Sequence, residues 1–474
     1  MTLALSTCLL SPFLGAALIG SIDRYVSRRV IVLTSLLLSV TMLVLARPRS
    51  HIGWWSPDRL GWFLALASLI MGLSVCHYAA RQFAGEERGR NFLMMALTIV
   101  GCVVSTDLSN TTLSLCLSWV ATSVATVLLL RIGGAGGRGS STWRRSAMTF
   151  AFCDFLLLVA CAGAYAHPHG ASVLSPWRGR MHGVETTLLL AGTMIAAAGR
   201  AGLTFRRSWV FDTVNAPTAA SALLHAGVVN AGALLIFRAQ GIAGSSALLG
   251  VALATICLVV LMTLTPRIHA RVDLKGQLAA STVAQMSLML TALALGYPLL
   301  AFTHAVGHGL YKAGRFMSAG GAIDQRARLR RRLPRGTVLP GRARILAALA
   351  LALIAATWGA SAGSDAPALM GVFGPAAIVV WWTRSGSPLR SAAAVWSGLV
   401  LALLLYGALV ARLGQFLALS HDAARWQAPW WSLGALVMIV VASTTWRLRK
   451  PSVLGHSADS VGVAPSGQWT SVRS

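Results

Sequence analysis

The chain has 474 residues, 56% of them hydrophobic and only 11% charged, with a mean hydropathy of +0.68 and a formal net charge of +27. Apolar runs of helical length recur from end to end, so a soluble nucleic-acid binder is excluded in spite of the charge. The arginines gather mainly in alternate connections between those runs, as the positive-inside rule requires, and the charge therefore reports membrane orientation.

A membrane-spanning helix needs about 20 largely apolar residues. Runs of that kind begin at 3–21, 30–46, 60–79, 91–106, 108–130, 146–166 and 184–200, and continue at 216–237, 244–263, 277–296 and 298–320. Further runs at 345–362, 369–382, 391–410 and 430–446 complete the series. The expected fold is all-α, a polytopic membrane bundle of about 14 transmembrane helices.

Basic residues follow the first run (Arg24, Arg28, Arg29), the third (Arg81, Arg88, Arg90), the fifth (Arg138, Arg144, Arg145) and the ninth (Arg267, Arg271, Lys275). They are densest after the eleventh, from Arg326 to Arg344, and these connections are assigned to the cytoplasm. That places the amino terminus outside and the carboxyl terminus, after Arg447, Arg449 and Lys450, in the cytoplasm of a cell with the chain in its inner membrane. The first run lacks a basic leader and is followed by further spans, so it reads as an uncleaved helix with the mature chain starting at Met1. All seven cysteines lie in apolar segments without a CxxC pair, and neither a disulfide framework nor a metal site is expected in this chain.

Two composition breaks divide the sequence. Residues 1–131 form an amino-terminal set of membrane helices, 132–144 a glycine-rich loop, and 145–323 a central set. An arginine-rich cytoplasmic loop at 324–344 precedes a carboxyl-terminal set at 345–446, and the polar, aperiodic tail 447–474 reads as disordered. The central set concentrates the intramembrane polar residues, so chemistry is expected there, whereas the last set reads as packing or partner surface.

Within the central set, HAVGHGLYKAGRF places His304, His308 and Lys312 four residues apart, and Arg315 extends the same helical stripe. Ionisable groups at bilayer depth are costly and usually line a protein interior or a conducting path. Histidine titrates near neutrality, and a lysine taken out of water can approach it, so the stripe suits a proton relay with steps of about 6 Å. A hydrogen-bonded packing seam is the competing reading. In the run APTAASALLHAGVVNAG, His225 and Asn230 follow Pro217, which suits a helix start or an interruption beside a cavity.

Arg200 closes another apolar run. Arginine stays charged, so it can stabilise an anion or hold water but cannot release a proton, and the alternative is a boundary arginine reaching the cytoplasmic face. Asp154 and Asp107 are the acids best placed in spans, and no carboxylate is spaced along the chain to pair with Arg200. Lys275 opens DLKGQLAASTVAQ, whose Ser281, Thr282 and Gln285 offer hydroxyl and amide groups on successive turns for bonding across helices. Asn230, Lys275, Asp154, Arg200 and Arg315 are read as either ion-path or structural positions.

Taken together, the segment from Arg200 to Arg238, then DLKGQLAASTVAQ, then HAVGHGLYKAGRFMSAG, resembles the proton-conducting antiporter-like subunits of respiratory complex I, membrane hydrogenases and multisubunit cation/proton antiporters. The resemblance covers roughly residues 60–323, and SALLHAGVVNAG and GHGLYKAGRF look closest to the membrane subunits of bacterial inorganic carbon pumps. It implies interrupted helices at the centre of the bundle and a proton path through His225, His304, His308 and Lys312. The family's helix-five glutamate falls on Val120 and its helix-seven lysine on Arg200, so that pair cannot release a proton here as it does in complex I. Ala151 stands where the family has an arginine before Asp154. The stretch Trp119 to Ser123 suits a carbon pump better, as does the short tail after Trp446, since complex I subunits tend to carry a long lateral helix there.

The function this implies is that of a transporter subunit, itself not an enzyme, passing protons down their gradient to drive a cytoplasmic partner similar to a zinc-dependent carbonic anhydrase. Zinc would belong to that partner, with no cofactor in this chain. The alternatives are a sodium/proton antiporter subunit or a proton-pumping subunit of a quinone-reducing or hydrogenase complex.

Overall fold

The computed structural model describes residues 2–21, 25–46, 48, 52–56, 58–86, 88–133, 140–166, 184–203, 209–243, 247–270, 273–294 and 298–319. The arginine-rich stretch 324–344, the segment 345–446 and the tail 447–474 lie outside the described residues. Among the described residues every regular element is a helix, the arrangement that satisfies backbone N–H and C=O groups within each segment when lipid offers no partner.

The long helices of the first part are α1 (Thr2–Ser21), α2 (Tyr25–Ala46), α3 (Arg59–Gln82), α4 (Arg88–Asp107) and α5 (Thr112–Gly133). They are followed by α6 (Ser140–Ala166), α7 (Val184–Arg200) and the short α8 (Trp209–Asp212), which runs into a 3-10 turn at Thr213–Asn215. Then come α9 (Thr218–Ala226), α10 (Ala231–Ala243), α11 (Ala247–Ala270), α12 (Leu274–Ala294) and α13 (Pro298–Ser318). Eight helical segments among the described residues are long and apolar enough to cross a membrane, and the chain is a multi-pass membrane protein.

The outer spans bury one side and leave the other apolar and exposed. On α6, Phe152, Phe155 and Val159 are exposed while Phe150, Cys153 and Leu157 are buried, and lipid makes that distribution inexpensive. The most enclosed segment is the span Thr218–Ala239, with 89% of its apolar window buried. Around it pack α3, α5, α7, α12 and α13, so the residues of α9 and α10 form the middle of the described bundle.

The passage from α9 to α10 explains how a polar residue is kept there. Asn230 N–H bonds to Gly227 O at 3.1 Å, closing a 3-10 turn over Val228–Asn230, so the Ala226 carbonyl loses the partner that a continuous α-helix would give it. The Asn230 side chain supplies the replacement, Nδ2 donating to Ala226 O at 2.7 Å, and the same amide nitrogen reaches Ala305 O of α13 at 3.1 Å. Gly309 permits this approach. A Cβ built there would lie 2.9 Å from Ala226 O and 2.5 Å from Met71 Sδ, closer than packing allows.

At one end of the bundle an ion pair fixes three helices. Asp58 caps α3 by accepting from Gly61 N at 2.8 Å and also accepts from Arg238 Nη1 of α10 at 2.7 Å. Arg238 Nη2 donates in turn to the Asp107 carbonyl at the end of α4, at 2.9 Å.

Candidate functional site

Four of the polar side chains singled out in the sequence converge on α9, α12 and α13. His225 is 1% exposed, Lys312 0% and His308 4%, while His304 is half-buried. Lys312 Nζ donates to Leu278 O of α12 at 2.9 Å and also meets Ser281 Oγ. The Leu278 carbonyl also accepts from Thr282 Oγ1 at 2.9 Å, and Thr282 Oγ1 lies 3.1 Å from His225 Nδ1. On the other edge of the ring, His225 Nε2 lies 2.8 Å from Thr213 Oγ1. Phe316, one turn beyond Lys312 on α13, stacks on the imidazole with centroids 4.4 Å apart.

This seating has a chemical consequence. Thr213 Oγ1 is placed to donate to Val210 O at 2.7 Å, and Thr282 Oγ1 to Leu278 O. A hydroxyl has one proton, so when both threonines spend theirs on carbonyls, both contacts to His225 are hydrogen bonds only if both ring nitrogens donate, as in an imidazolium. A neutral ring needs one hydroxyl turned toward it instead. Protonation of His225 is thereby coupled to the rotation of a neighbouring hydroxyl, an event that needs no backbone movement.

Farther along α13, the His304 and His308 rings lie 6.0 Å apart between centroids, the step expected from their spacing. Neither His308 nitrogen has a hydrogen-bond partner among the described residues, and nor does His304 Nε2. Buried nitrogens without a protein partner are uncommon and call for a reason. Arg315 does not join them: it is exposed among the described residues, and the stripe extends through Lys312 to the buried Phe316 instead. Lys275 sits at the edge of the group, its Nζ donating to Ala216 O at 2.9 Å beside the Pro217 start of α9.

Arg200 belongs to a second cluster, built by α5, α6 and α7. It is 1% exposed, which corrects the reading of a boundary arginine reaching a membrane face. The sequence spacing also offered it no carboxylate, yet Asp154 Oδ1 of α6 lies 3.8 Å from Arg200 Nη2 because α6 and α7 pack side by side. Trp119 Nε1 donates to the same Asp154 oxygen at 2.7 Å. Arg200 Nη2 donates to Ser123 Oγ at 2.7 Å and to Trp119 O at 3.2 Å, and its guanidinium lies 4.3 Å from the centre of the Trp119 ring and 4.9 Å from that of Phe150. Two aromatic faces, one carboxylate and a hydroxyl thus replace water around a permanent cation.

The segment 209–215 joins the two clusters. Trp209 Nε1 donates to Gly199 O at 3.0 Å, next to Arg200, and its ring meets Phe150 edge-on at 5.0 Å. One turn later Thr213 holds His225. Asp212 between them is clamped by Arg145, whose Nη2 and Nε lie at 2.9 and 3.1 Å from its two oxygens. Thr213 carried no individual signal in the sequence, and Trp119 and Ser123 stood out there only through the resemblance: hydroxyl and indole groups are common in spans, and only the fold identifies which of them face an ionisable group. Among the described residues no group of three or more His, Cys, Asp or Glu is arranged to hold a metal ion.

Comparison with known proteins gives this geometry a setting. Residues 109–402 match the family model described as NADH:quinone oxidoreductase/Mrp antiporter, transmembrane. The chain is similar to a probable inorganic carbon transporter protein, DabB, of Bacillus subtilis, with 30% identity over 61% of this chain and 58% of that protein. It is also similar to a probable K(+)/H(+) antiporter subunit of Rhizobium meliloti, with 29% identity over 56% of this chain and 27% of that protein. Among solved structures, the Mrp complex from Dietzia shares the fold over 98% of this chain and 57% of the matched chain, with a TM-score of 0.65 at 20% identity. The chain thus spans a little over half the length of the Bacillus relative.

Proposed function

Because the chain belongs to the NADH:quinone oxidoreductase/Mrp antiporter transmembrane family, we propose that it is the membrane subunit of an energy-coupled inorganic carbon pump, conducting cations, in the first place protons. The bundle would comprise about 14 helices with interrupted helices at its centre, in the inner membrane with the amino terminus outside and the carboxyl terminus cytoplasmic. The observation that carries the reading is the series of buried His225, Lys312 and His308 and half-buried His304, in which the Thr282 hydroxyl links His225 to the carbonyl that Lys312 also engages and the other two rings keep unfilled nitrogens. Similarity to a DabB protein supports inorganic carbon as the cargo of the assembly.

In this mechanism a proton reaching His304 passes to His308 and then to Lys312, and His225 responds through the Leu278 carbonyl, which accepts from both Lys312 and the Thr282 hydroxyl beside the ring. When the His225 ring is neutral, Thr213 or Thr282 turns its hydroxyl toward the nitrogen that carries no proton, and when the ring takes one up that hydroxyl turns back to its carbonyl. Arg200 does not carry a proton. It supplies a fixed positive charge beside the path, balanced by Asp154. The flow would drive a DabA-like cytoplasmic partner similar to a zinc-dependent carbonic anhydrase, which hydrates carbon dioxide to bicarbonate in one direction. Catalysis and zinc belong to that partner, and this chain needs no cofactor.

Expression with and without that partner in cells lacking carbonic anhydrase tests the reading. Growth in ambient air is expected only for the pair and is expected to stop when a proton uncoupler is added; growth that ignores the uncoupler overturns proton coupling. Similarity to a potassium/proton antiporter protein favours a second reading, a cation/proton antiporter subunit, and the family includes the complex I alternative. Neighbouring reading frames separate them. Zinc ligands in the adjacent frame support the carbon pump, a run of small hydrophobic frames supports the antiporter, and iron–sulfur frames support a quinone-reducing or hydrogenase complex.

A further inference from the structure

Asp107 takes no part in the path described above, yet it ends α4 as a buried acid, 4% exposed, whose carboxylate accepts from Ser68 Oγ of α3 at 2.9 Å. Beside it lies a cavity with about 20 Å³ of space for the centre of a water molecule, bounded by α3, α4, α10, α13 and the turn at 227–230. A water needs roughly 10–15 Å³ of this kind and two to four polar partners, whereas a void with apolar walls stays dry. The wall supplies three: Ser68 Oγ, the Asp107 carboxylate and the Asn230 amide. Asn230 lines the cavity and keeps one unfilled acceptor, since Nδ2 is committed to Ala226 O and Ala305 O while Oδ1 has no partner among the described residues.

Among the described residues Asp107 is the one ionisable group lining the cavity. The charges packed against it are Arg238, which donates to its backbone carbonyl, and Asp58, which holds the other end of that guanidinium. Arg238 spends Nη1 on Asp58 and Nη2 on the Asp107 backbone carbonyl, and its Nε has no partner among the described residues, so the Asp107 carboxyl itself accepts from Ser68 and is left able to exchange a proton with water. The cavity also touches α13 at Ala305 and Val306, between His304, whose Nε2 has no partner among the described residues, and His308, neither of whose nitrogens has one.

We propose that this cavity holds water between Asp107 and Asn230 and that Asp107 is a proton-carrying carboxyl on a side branch feeding the α13 histidines. The Asp107 O–H bond breaks as its proton passes to the water, leaving a carboxylate that Ser68 stabilises. The water in turn releases a proton to a histidine nitrogen on α13, becoming neutral again. Asn230 orients the water through Oδ1 and carries no proton itself. The inference rests on the reading of the chain as a proton conductor.

The test uses the full chain with its partner in membranes, measuring uptake driven by an imposed pH gradient at fixed sodium, across a range of pH. Asp107→Asn keeps the shape and the bond to Ser68 but holds no exchangeable acid proton, and it is expected to lose most of the uptake; Asp107→Glu is expected to restore much of it with a displaced pH profile. Should Asp107→Asn fail to assemble, Ser68→Ala removes only a hydroxyl from the wall and is expected to slow uptake and displace the same profile. Wild-type uptake and profile in Asp107→Asn or Ser68→Ala, with His308→Ala inactive, would overturn the side branch and leave the main path standing. Wild-type behaviour in all of these variants removes both. Uptake that follows sodium at a fixed pH gradient, and loses that dependence in Asp107→Asn, would make the cavity a cation site and overturn the proton role.

Discussion

The two buried clusters hold similar numbers of polar groups and use them in opposite ways. Around Arg200 the charge is permanent and its surroundings are rigid: indole and phenyl faces, a carboxylate that also accepts from Trp119, and a hydroxyl of α5. Around His225 the partners are threonine hydroxyls with a second acceptor within reach, so the hydrogen-bond pattern has two states. A site that must hold a charge still and a site that must exchange one are built from different side chains. Arg200 releases no proton, whereas the second cluster is built on histidine and lysine, side chains that can.

The comparison breaks most decisively at Lys312 and His308. Lys312→Ala and His308→Ala are each expected to abolish gradient-driven uptake while the protein still inserts into the membrane at wild-type levels, and wild-type uptake in both returns the stripe to a packing role. In the other cluster the expected failure is one of stability. Asp154→Asn leaves a buried guanidinium without its counter-charge, a loss of about 3–5 kcal/mol, seen as a lower thermal midpoint in detergent. Arg200→Lys keeps the charge but forfeits the stacking on Trp119 and Phe150. Its thermal midpoint is expected to fall while uptake per folded molecule stays near normal, and a selective loss of uptake would show that the guanidinium itself serves the path.

Smaller effects sharpen the contrast. Gly309→Ala forces a methyl group against Ala226 O and Met71, an overpacking cost of about 1–3 kcal/mol that should appear as a lower thermal midpoint. Thr282→Val removes one of the two hydroxyls beside His225 at a stability cost of about 1 kcal/mol. Its uptake is expected to fall further than its stability, because the ring loses one of its two switching partners; equal small changes in both would make Thr282 structural glue.

Much of the membrane fold was legible because lipid imposes a simple rule on composition and length, and the runs from 3–21 to 298–320 correspond to helices in the described residues. The four-residue spacing of His304, His308 and Lys312 was legible for the same reason, since it lies on one helix. Pairings between helices were not. Asp154 and Arg200 meet only because α6 and α7 pack together, and no local pattern encodes that contact. Arg315 misled in the opposite sense: it shares the helical spacing, but the buried face of α13 passes it by. The role of Asn230 was half visible, its cost in lipid being plain from sequence while the 3-10 turn it supports was not.

The segment 209–215, anchored at Gly199 by its indole and at His225 by Thr213, places both clusters on one short rod. Linkage then imposes an accounting identity on the protein. Whatever factor separates the populations of the Arg200–Asp154 arrangement with His225 charged and uncharged, the same factor must separate the proton occupancies of His225 in those two arrangements. An arginine that releases no proton would in this way set how readily the neighbouring histidine takes one up, an influence measurable from either end.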